Sequence, residues 1–409
     1  MSRRFLLSCF ACDPRAGSEP YVGWHWARRV HAGHARIVLT RRHHRAALAP
    51  HAGDGLEFRF FDLPFLAGLD HRHRLMKLYY ILWQIAVLPY AAWIVRRERI
   101  TDIHHVTYNA VDFPGLLWAI PGPRFLWGPA GGGQTPPRAL AAFYGAGWRR
   151  QVWRARMKAG LRFNPFVRLA LARATLVLAA NAETEARLAP LARSGRVRRM
   201  LETAIDPPAA TPRQARDPLR VLWVGRFEPR KAPGLLLGVA RALSIARPGD
   251  FAFTMIGAGP LLAEIRAAAL DIPGLAVRGE IPFAAIGDVY AAADVLAFTS
   301  LQDTSGNVVL EALAAGIPVV ALDHQGAAEI LPPGGGLLVP VGPPEAVIGG
   351  FAEALIRLTD AETYAAASRA ALANIRAHHT WDSRAARFAG LIDAASPAQP
   401  SAKSARAMP

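Results

Sequence analysis

Asp303 and Glu311 are two carboxylates eight positions apart, one in a small polar loop and one about a turn into a short helix that is otherwise Val, Leu and Ala. An apolar run at 295–299 precedes the loop, Gly316 ends the helix, and a second apolar run follows at 318–322. The stretch therefore reads as strand, loop, helix and strand of a parallel sheet. Ligands of such sheets sit beyond the carboxyl ends of the strands, where Asp303 and the pair Gln325 and Gly326 fall. No Lys or Arg occurs between Arg278 and Arg357, although the chain holds 48 Lys and Arg against 31 Asp and Glu. A region stripped of cations leaves both carboxylates to accept hydrogen bonds from ligand hydroxyls. Gly306, Asn307 and Val308, at the predicted helix start, offer backbone N–H groups to an anion.

A second constellation lies upstream. The strand 221–224 ends at Gly225, and Arg226 and Lys231 follow five positions apart just before a helix. A planar guanidinium fork and a compact ammonium together suit a diphosphate. In the first half, the apolar run 5–11 reads as a strand leading into a loop that carries Gly17, Ser18 and Glu19. A strand at 102–107 carries His105 and Thr107 at its carboxyl end, and a strand from 125 runs into the turn Gly131-Gly132-Gly133. That turn lacks the Gly-Lys-Ser/Thr ending of a P-loop, which argues against an ATPase.

These motifs together resemble the retaining glycosyltransferases of family 4, the group 1 glycosyl transferases. The 303–311 stretch resembles their E-x7-E region, with Glu311 in place of the second Glu and Asp303 in place of the first. Gly225-Arg226-x4-Lys231 resembles their diphosphate clamp, and Glu280 falls where relatives hold the nucleotide base. Gly17-Ser18-Glu19-x3-Gly23-Trp24 and Gly128-Pro129-x-Gly131-Gly132 resemble cleft-facing loops of one subgroup. The strand at 102–107 is similar to an Asp-x-x-His-x-His pattern, with His105 at the first His and Thr107 at the second. The resemblance implies an α/β protein of GT-B fold, two Rossmann-like doubly wound domains facing a cleft. It implies Asp303, Glu311 and His105 as catalytic residues. Gly225, Arg226, Lys231, Glu280, Gly306, Asn307 and Val308 would bind the donor, and Gly17, Ser18, Glu19 and Thr107 would face the acceptor. The implied donor is a UDP- or GDP-sugar, with no cofactor and no metal, and the chain holds no Asp-x-Asp to carry one.

The length of 409 residues suits two domains better than one core. The alternation of elements restarts at 220, after the proline-rich stretch 206–218. We expect an N-terminal domain at 1–205, a linker at 206–218, a nucleotide-sugar domain at 219–378, a helix at 379–394 returning to the first domain, and a disordered tail at 395–409. The two cysteines, Cys9 and Cys12, make no disulfide framework and suit a reducing cytoplasm. Their spacing lacks the further ligands a zinc site needs.

A formal net charge of +17 calls for an acidic partner. The cations crowd the first half, around the apolar stretch 75–95 and through the basic and aromatic stretch 148–173. Length alone would let 75–95 span a bilayer, but Lys77, Gln84, Pro89 and its place inside the α/β alternation argue for a helix on the core or on a membrane surface. We therefore expect a cytoplasmic protein on the inner face of an anionic membrane, with a lipid-linked or polysaccharide acceptor. Two rival readings are a nucleotide-sugar epimerase of the same fold and a basic nucleic-acid-binding protein. The second explains the charge but neither the cation-free region nor the clamp, so no nucleic-acid partner is expected.

Overall fold

A computed structural model describes residues 3–64, 66, 75–282 and 285–395. The basic stretch 71–74 and the tail expected at 395–409 lie outside these residues, apart from Ala395. Thirteen strands form two sheets. In the first domain they are β1 (Arg4–Ser8), β2 (Ala35–Thr40), β3 (Leu56–Phe60), β4 (Asp102–His105), β5 (Arg124–Ala130), β6 (Ala174–Ala179) and β7 (Val197–Arg199). The second domain holds β8 (Leu219–Val224), β9 (Phe251–Ile256), β10 (Leu275–Arg278), β11 (Val295–Phe298), β12 (Val319–Leu322) and β13 (Gly336–Val339).

The sheet orders are β3-β2-β1-β4-β5-β6-β7 and β10-β9-β8-β11-β12-β13, with every strand pair parallel. Both are doubly wound, and in each the order reverses beside the first strand, which opens a crevice at the carboxyl ends. Strands such as β6, β11 and β12 are nearly continuous Val, Leu and Ala because helices cover both faces. Two strands were not foreseen from the sequence. β7 and β10 are short edge strands with exposed charged residues (Arg198, Arg199, Arg278), too short and too polar to show a period.

The helix Met76–Arg97 crosses over between β3 and β4. Tyr79, Tyr80, Trp83, Val87, Ala91 and Ile94 are buried against the sheet, so one face of this long apolar helix is committed to the core. At four-residue steps along the other face, Lys77, Ile81, Ile85, Pro89, Trp93 and Arg97 are all exposed.

The last helix, Trp381–Ala394, packs on the first domain. Trp381 stacks on His25 at 4.5 Å, and Phe388 stacks on His104 at 5.4 Å. Arg384 donates to the Thr203 carbonyl at 3.1 Å and Arg387 to the Arg199 carbonyl at 2.8 Å. Thr380 caps this helix, its hydroxyl accepting the Ser383 N–H at 3.1 Å. Thr380→Ala should cost about 1 kcal/mol, read as a lower urea midpoint at unchanged m-value. An unmoved midpoint would mean that the packing of Trp381 and Phe388 holds the helix start without the cap.

Candidate active site

The loop after β11 is fixed before it reaches the cleft. Thr299 donates to the Lys231 carbonyl at 2.8 Å and accepts the Trp223 indole N–H at 2.9 Å, which ties it to the loop after β8. Gly306 adopts φ +79° immediately before the helix Asn307–Ala314, a conformation that disfavours any side chain. The first amides of that helix have no partner within it and carry the positive end of its dipole. Gly306, Asn307 and Val308 line a cavity of about 740 Å³ between the domains, together with Asp303, Arg230 and Lys231. Ser18, Glu19, Gly131 and Gly132 of the first domain line it as well. A larger cavity of about 850 Å³, between the 198–201 segment and the last two helices, holds none of the residues singled out from the sequence. The smaller cavity is therefore the candidate site, because anionic and cationic groups from both domains converge there.

The expectation that both carboxylates lack cations does not hold for Asp303. Lys231 forms a short ion pair with it across the cleft wall, with 15% of the Lys231 side chain and 21% of the Asp303 side chain exposed. A cation-free stretch of sequence is not a cation-free volume, since the loop after β8 folds back onto the loop after β11. Arg230 reinforces this corner, donating to the Gln302 carbonyl at 3.3 Å and pairing with Glu228 at 2.7 Å. Glu311, largely withdrawn from solvent, accepts a hydrogen bond from the Tyr290 hydroxyl at 2.7 Å. Burial raises its pKa, and the bond from Tyr290 partly offsets that. It does not line the cavity.

Other expected donor residues lie apart. Arg226 leaves 67% of its side chain exposed, 3.9 Å from Glu228, outside the cavity lining. Gly225 directly follows β8, its N–H bonded to the Ile256 carbonyl at 3.1 Å. Glu280 is exposed just past β10.

In the first domain, Gly17 precedes the helix Ser18–His25, and Glu19 accepts a short hydrogen bond from the Tyr108 N–H. Burial raises the Glu19 pKa, so a carboxyl group at the cavity wall resists ionisation. His105 and Thr107, expected at the cleft, are in the interior instead. The pleat directs His104 toward Phe388 and His105 toward the helix Met76–Arg97, where its ring bridges the Ser8 hydroxyl at 3.1 Å and the Tyr80 hydroxyl at 3.0 Å. Burial pushes the His105 pKa down to about 3, so the ring is neutral. Thr107 is spent on the Ala11 N–H, accepted at 3.1 Å. Cys9 and Cys12 are both buried just beyond β1, which ends earlier than the apolar run suggests. Among the described residues no group of three or more His, Cys, Asp or Glu could hold a metal ion.

The glycine turn after β5 meets the loop after β11 directly. A Cβ on Gly131 would lie 2.8 Å from the Thr304 methyl, so glycine permits the contact. Gln134 donates to the Thr304 hydroxyl at 2.9 Å, Asn181 to the Thr304 carbonyl at 3.2 Å, and Gln325 to the Thr135 carbonyl at 2.9 Å. Tyr290, Gln134, Arg230 and Glu202 are site residues that sequence reasoning missed. Only Arg230 carried a signal, lying beside Lys231 at the helix start.

The site thus has a cationic corner and free helix amides for a diphosphate, with carboxyl groups to take hydroxyls. Residues 218–361 match the family described as Glycosyl transferases group 1. The amylovoran biosynthesis glycosyltransferase AmsK of Erwinia amylovora is 31% identical over 155 residues, 36% of this chain and 37% of that protein. A GDP-mannose-dependent alpha-mannosyltransferase of Mycobacterium tuberculosis is 32% identical over 121 residues, 29% of this chain and 30% of that protein. The chain thus spans only about a third of the length of these curated relatives. Among solved structures, a glycosyltransferase from Rickettsia africae superposes with TM-score 0.63 at 13% identity, covering 96% of this chain and 98% of that one. The sucrose-phosphate synthase of Thermosynechococcus elongatus gives TM-score 0.63 at 18% identity, over 96% and 100%. Anabaena HepE, solved with UDP and glucose, gives TM-score 0.59 at 15% identity, over 96% and 100%. The fold of the chain is GT-B, and residues 218–361 match the family of the group 1 glycosyl transferases.

Proposed function

We propose that the protein is a retaining glycosyltransferase of family 4, moving a sugar from a nucleoside-diphosphate donor to an acceptor hydroxyl. The observation that carries this reading is the convergence of Lys231, Arg230 and the Gly306–Val308 amides on one wall of the interdomain cavity. The leaving group of such a reaction gains negative charge on its diphosphate, and fixed cations and dipoles aimed at that charge lower the barrier. Glu311 holds the ribose and Asp303 a hydroxyl of the donor sugar. Lys231 and Arg230 supply positive charge at the diphosphate, so the proposed reaction has neither metal nor cofactor. UDP and GDP are the bases to test first, since HepE was solved with UDP and the M. tuberculosis relative is named for GDP-mannose. Isothermal titration with UDP and GDP tests the reading, and failure of both to bind would remove it.

The acceptor side supports a lipid-linked or growing polysaccharide acceptor at the inner face of the membrane. Lys77 and Ile81 line the cavity and begin the exposed apolar stripe that runs through Ile85 to Trp93, where Arg97 lies 5.1 Å over the indole. Phe113, also in the cavity wall, contacts Phe166 at 6.3 Å. The helix Trp148–Ala159 has no buried residue and exposes Trp153 and Met157 among its arginines. Each cation near an anionic bilayer contributes about 1 kcal/mol. The protein should float with vesicles containing anionic lipid and not with neutral ones. Joint replacement of Arg149, Arg150 and Arg154 by Glu should abolish flotation, and equal, negligible binding of wild type to both vesicles would favour a soluble acceptor.

A further inference from the structure

One buried carboxyl group in the cavity wall has no part in the scheme above. Glu202 follows β7, at the end of the first domain. Its main chain is held by the Trp26 indole, which donates to the Glu202 carbonyl at 2.8 Å. Its carboxyl reaches the second domain, where Oε1 accepts the Ser305 hydroxyl at 2.8 Å, and the residue lines the interdomain cavity. Oε2 is buried with no hydrogen-bond partner among the described residues. Buried polar atoms are ordinarily paired, and an unpaired carboxyl oxygen at a cleft wall calls for a functional reason.

The charged groups around Glu202 do not satisfy it. Asp303 lies close enough to disfavour its ionisation, and Arg384 of the last helix favours it. The Arg384 guanidinium, however, donates to the Thr203 carbonyl. Lys231 is paired with Asp303, and Glu19, on the first-domain wall of the same cavity, accepts from Tyr108. Burial is the largest influence, and it raises the Glu202 pKa to about 7.

We propose that Glu202 receives the acceptor hydroxyl, taking first its hydrogen bond and then its proton. This rests on the glycosyl-transfer reading. The hydroxyl oxygen bonds to the anomeric carbon of the donor sugar. The bond from that carbon to the diphosphate oxygen breaks, its electron pair leaving on the diphosphate. The hydroxyl proton passes to the Glu202 carboxylate, which returns it to water after product departs. The side-chain torsions of Glu202 bring Oε2 to the hydroxyl while Ser305 keeps the group at the wall. Ser305 directly precedes the amides assigned to the diphosphate, so Glu202 stands on the leaving-group side. That is the side from which an acceptor must arrive if configuration is retained.

A group that accepts a proton must be ionised, so transfer should rise with pH through a limb near 7. Wild type and Glu202→Gln would be assayed from pH 5.5 to 9 with radiolabelled UDP-glucose and GDP-mannose against a total lipid extract. In parallel, the carboxyl would be titrated by ¹³C NMR with and without UDP. Glu202→Gln should keep its UDP affinity, lose about 10²-fold in rate at pH 8 and lose the acid limb, with Glu202→Asp restoring part of both. The wild-type carboxyl should titrate near 7 and move upward when the diphosphate anion binds. An active wild type whose Gln variant keeps its rate and limb overturns the inference but leaves the transfer reading intact. A resonance titrating in the ordinary carboxyl range also overturns it. A wild type that neither binds nucleotide nor transfers sugar overturns the transfer reading itself, and the inference with it.

Discussion

Lys231→Ala should weaken nucleoside-diphosphate binding by about 1.5–3 kcal/mol and lower the transfer rate by about 10²–10³-fold. Lys231 is the one Lys among the described residues of the second domain, and its ammonium already sits at the cavity wall, paired with Asp303. Little ordering is needed for it to meet a diphosphate, so most of its Coulomb attraction survives as net affinity. The same substitution strips Asp303 of its partner, and the freed carboxylate then faces the incoming phosphates and repels them. Charge, not volume, is therefore the variable. Lys231→Met should fail as badly as Ala, and Asp303→Asn in the Ala background should recover part of the nucleotide affinity. Arg226→Ala should weaken binding less than Lys231→Ala, because its exposed side chain lies outside the cavity and must lose conformational freedom to reach a ligand. Titration of each variant with UDP and GDP checks the ranking, and unchanged affinity in Lys231→Ala would take the cationic corner out of the mechanism.

The fold was legible because a doubly wound sheet leaves strong local signals. β1, β2, β5, β6, β11 and β12 are almost wholly buried and read as apolar runs closed by glycine or polar turns. The edge strands β7 and β10 escaped because a short strand with one solvated face carries no such run. Gly306 and Gly316, at φ +79° and +72°, were readable as helix start and stop because few other residues adopt those conformations.

Cavity-lining residues were legible where residue type and spacing are set within one loop, as in the segments around Lys231 and Gly306. They were opaque where two loops distant in sequence meet. The Asp303 and Lys231 pair joins residues 72 positions apart, and the Glu202 and Ser305 bond spans 103. Glu202 lies just before the proline-rich stretch that reads as linker, and only the packing of Trp26 and Ser305 around it shows a buried acid. His105 failed in the opposite direction. A His at a strand end suggested the cleft, yet the pleat and the crossover helix enclose it between Ser8 and Tyr80.

Glu311→Gln should fold, yet bind nucleoside diphosphate more weakly and lose about 10²–10³-fold in transfer at limiting donor. The Tyr290 hydroxyl needs an acceptor, and the glutamine amide can turn its oxygen to meet it at the position of Oε2. That leaves the NH₂ group in place of the second carboxyl oxygen, where it can donate but not accept. A carboxylate taking ribose hydroxyls would lose both acceptor capacity and charge, and hydrogen bonds to charged groups are worth about 1.5–3 kcal/mol each. Tyr290→Phe separates the position of Glu311 from its charge. It removes the bond that orients the carboxyl and leaves its charge intact, so KM for the donor should rise several-fold with kcat nearly kept. Steady-state kinetics on both variants, with circular dichroism to verify folding, decides the matter. Full activity in Glu311→Gln would reduce Glu311 to a partner of Tyr290 that helps hold the helix Ile286–Ala292 against the helix Asn307–Ala314.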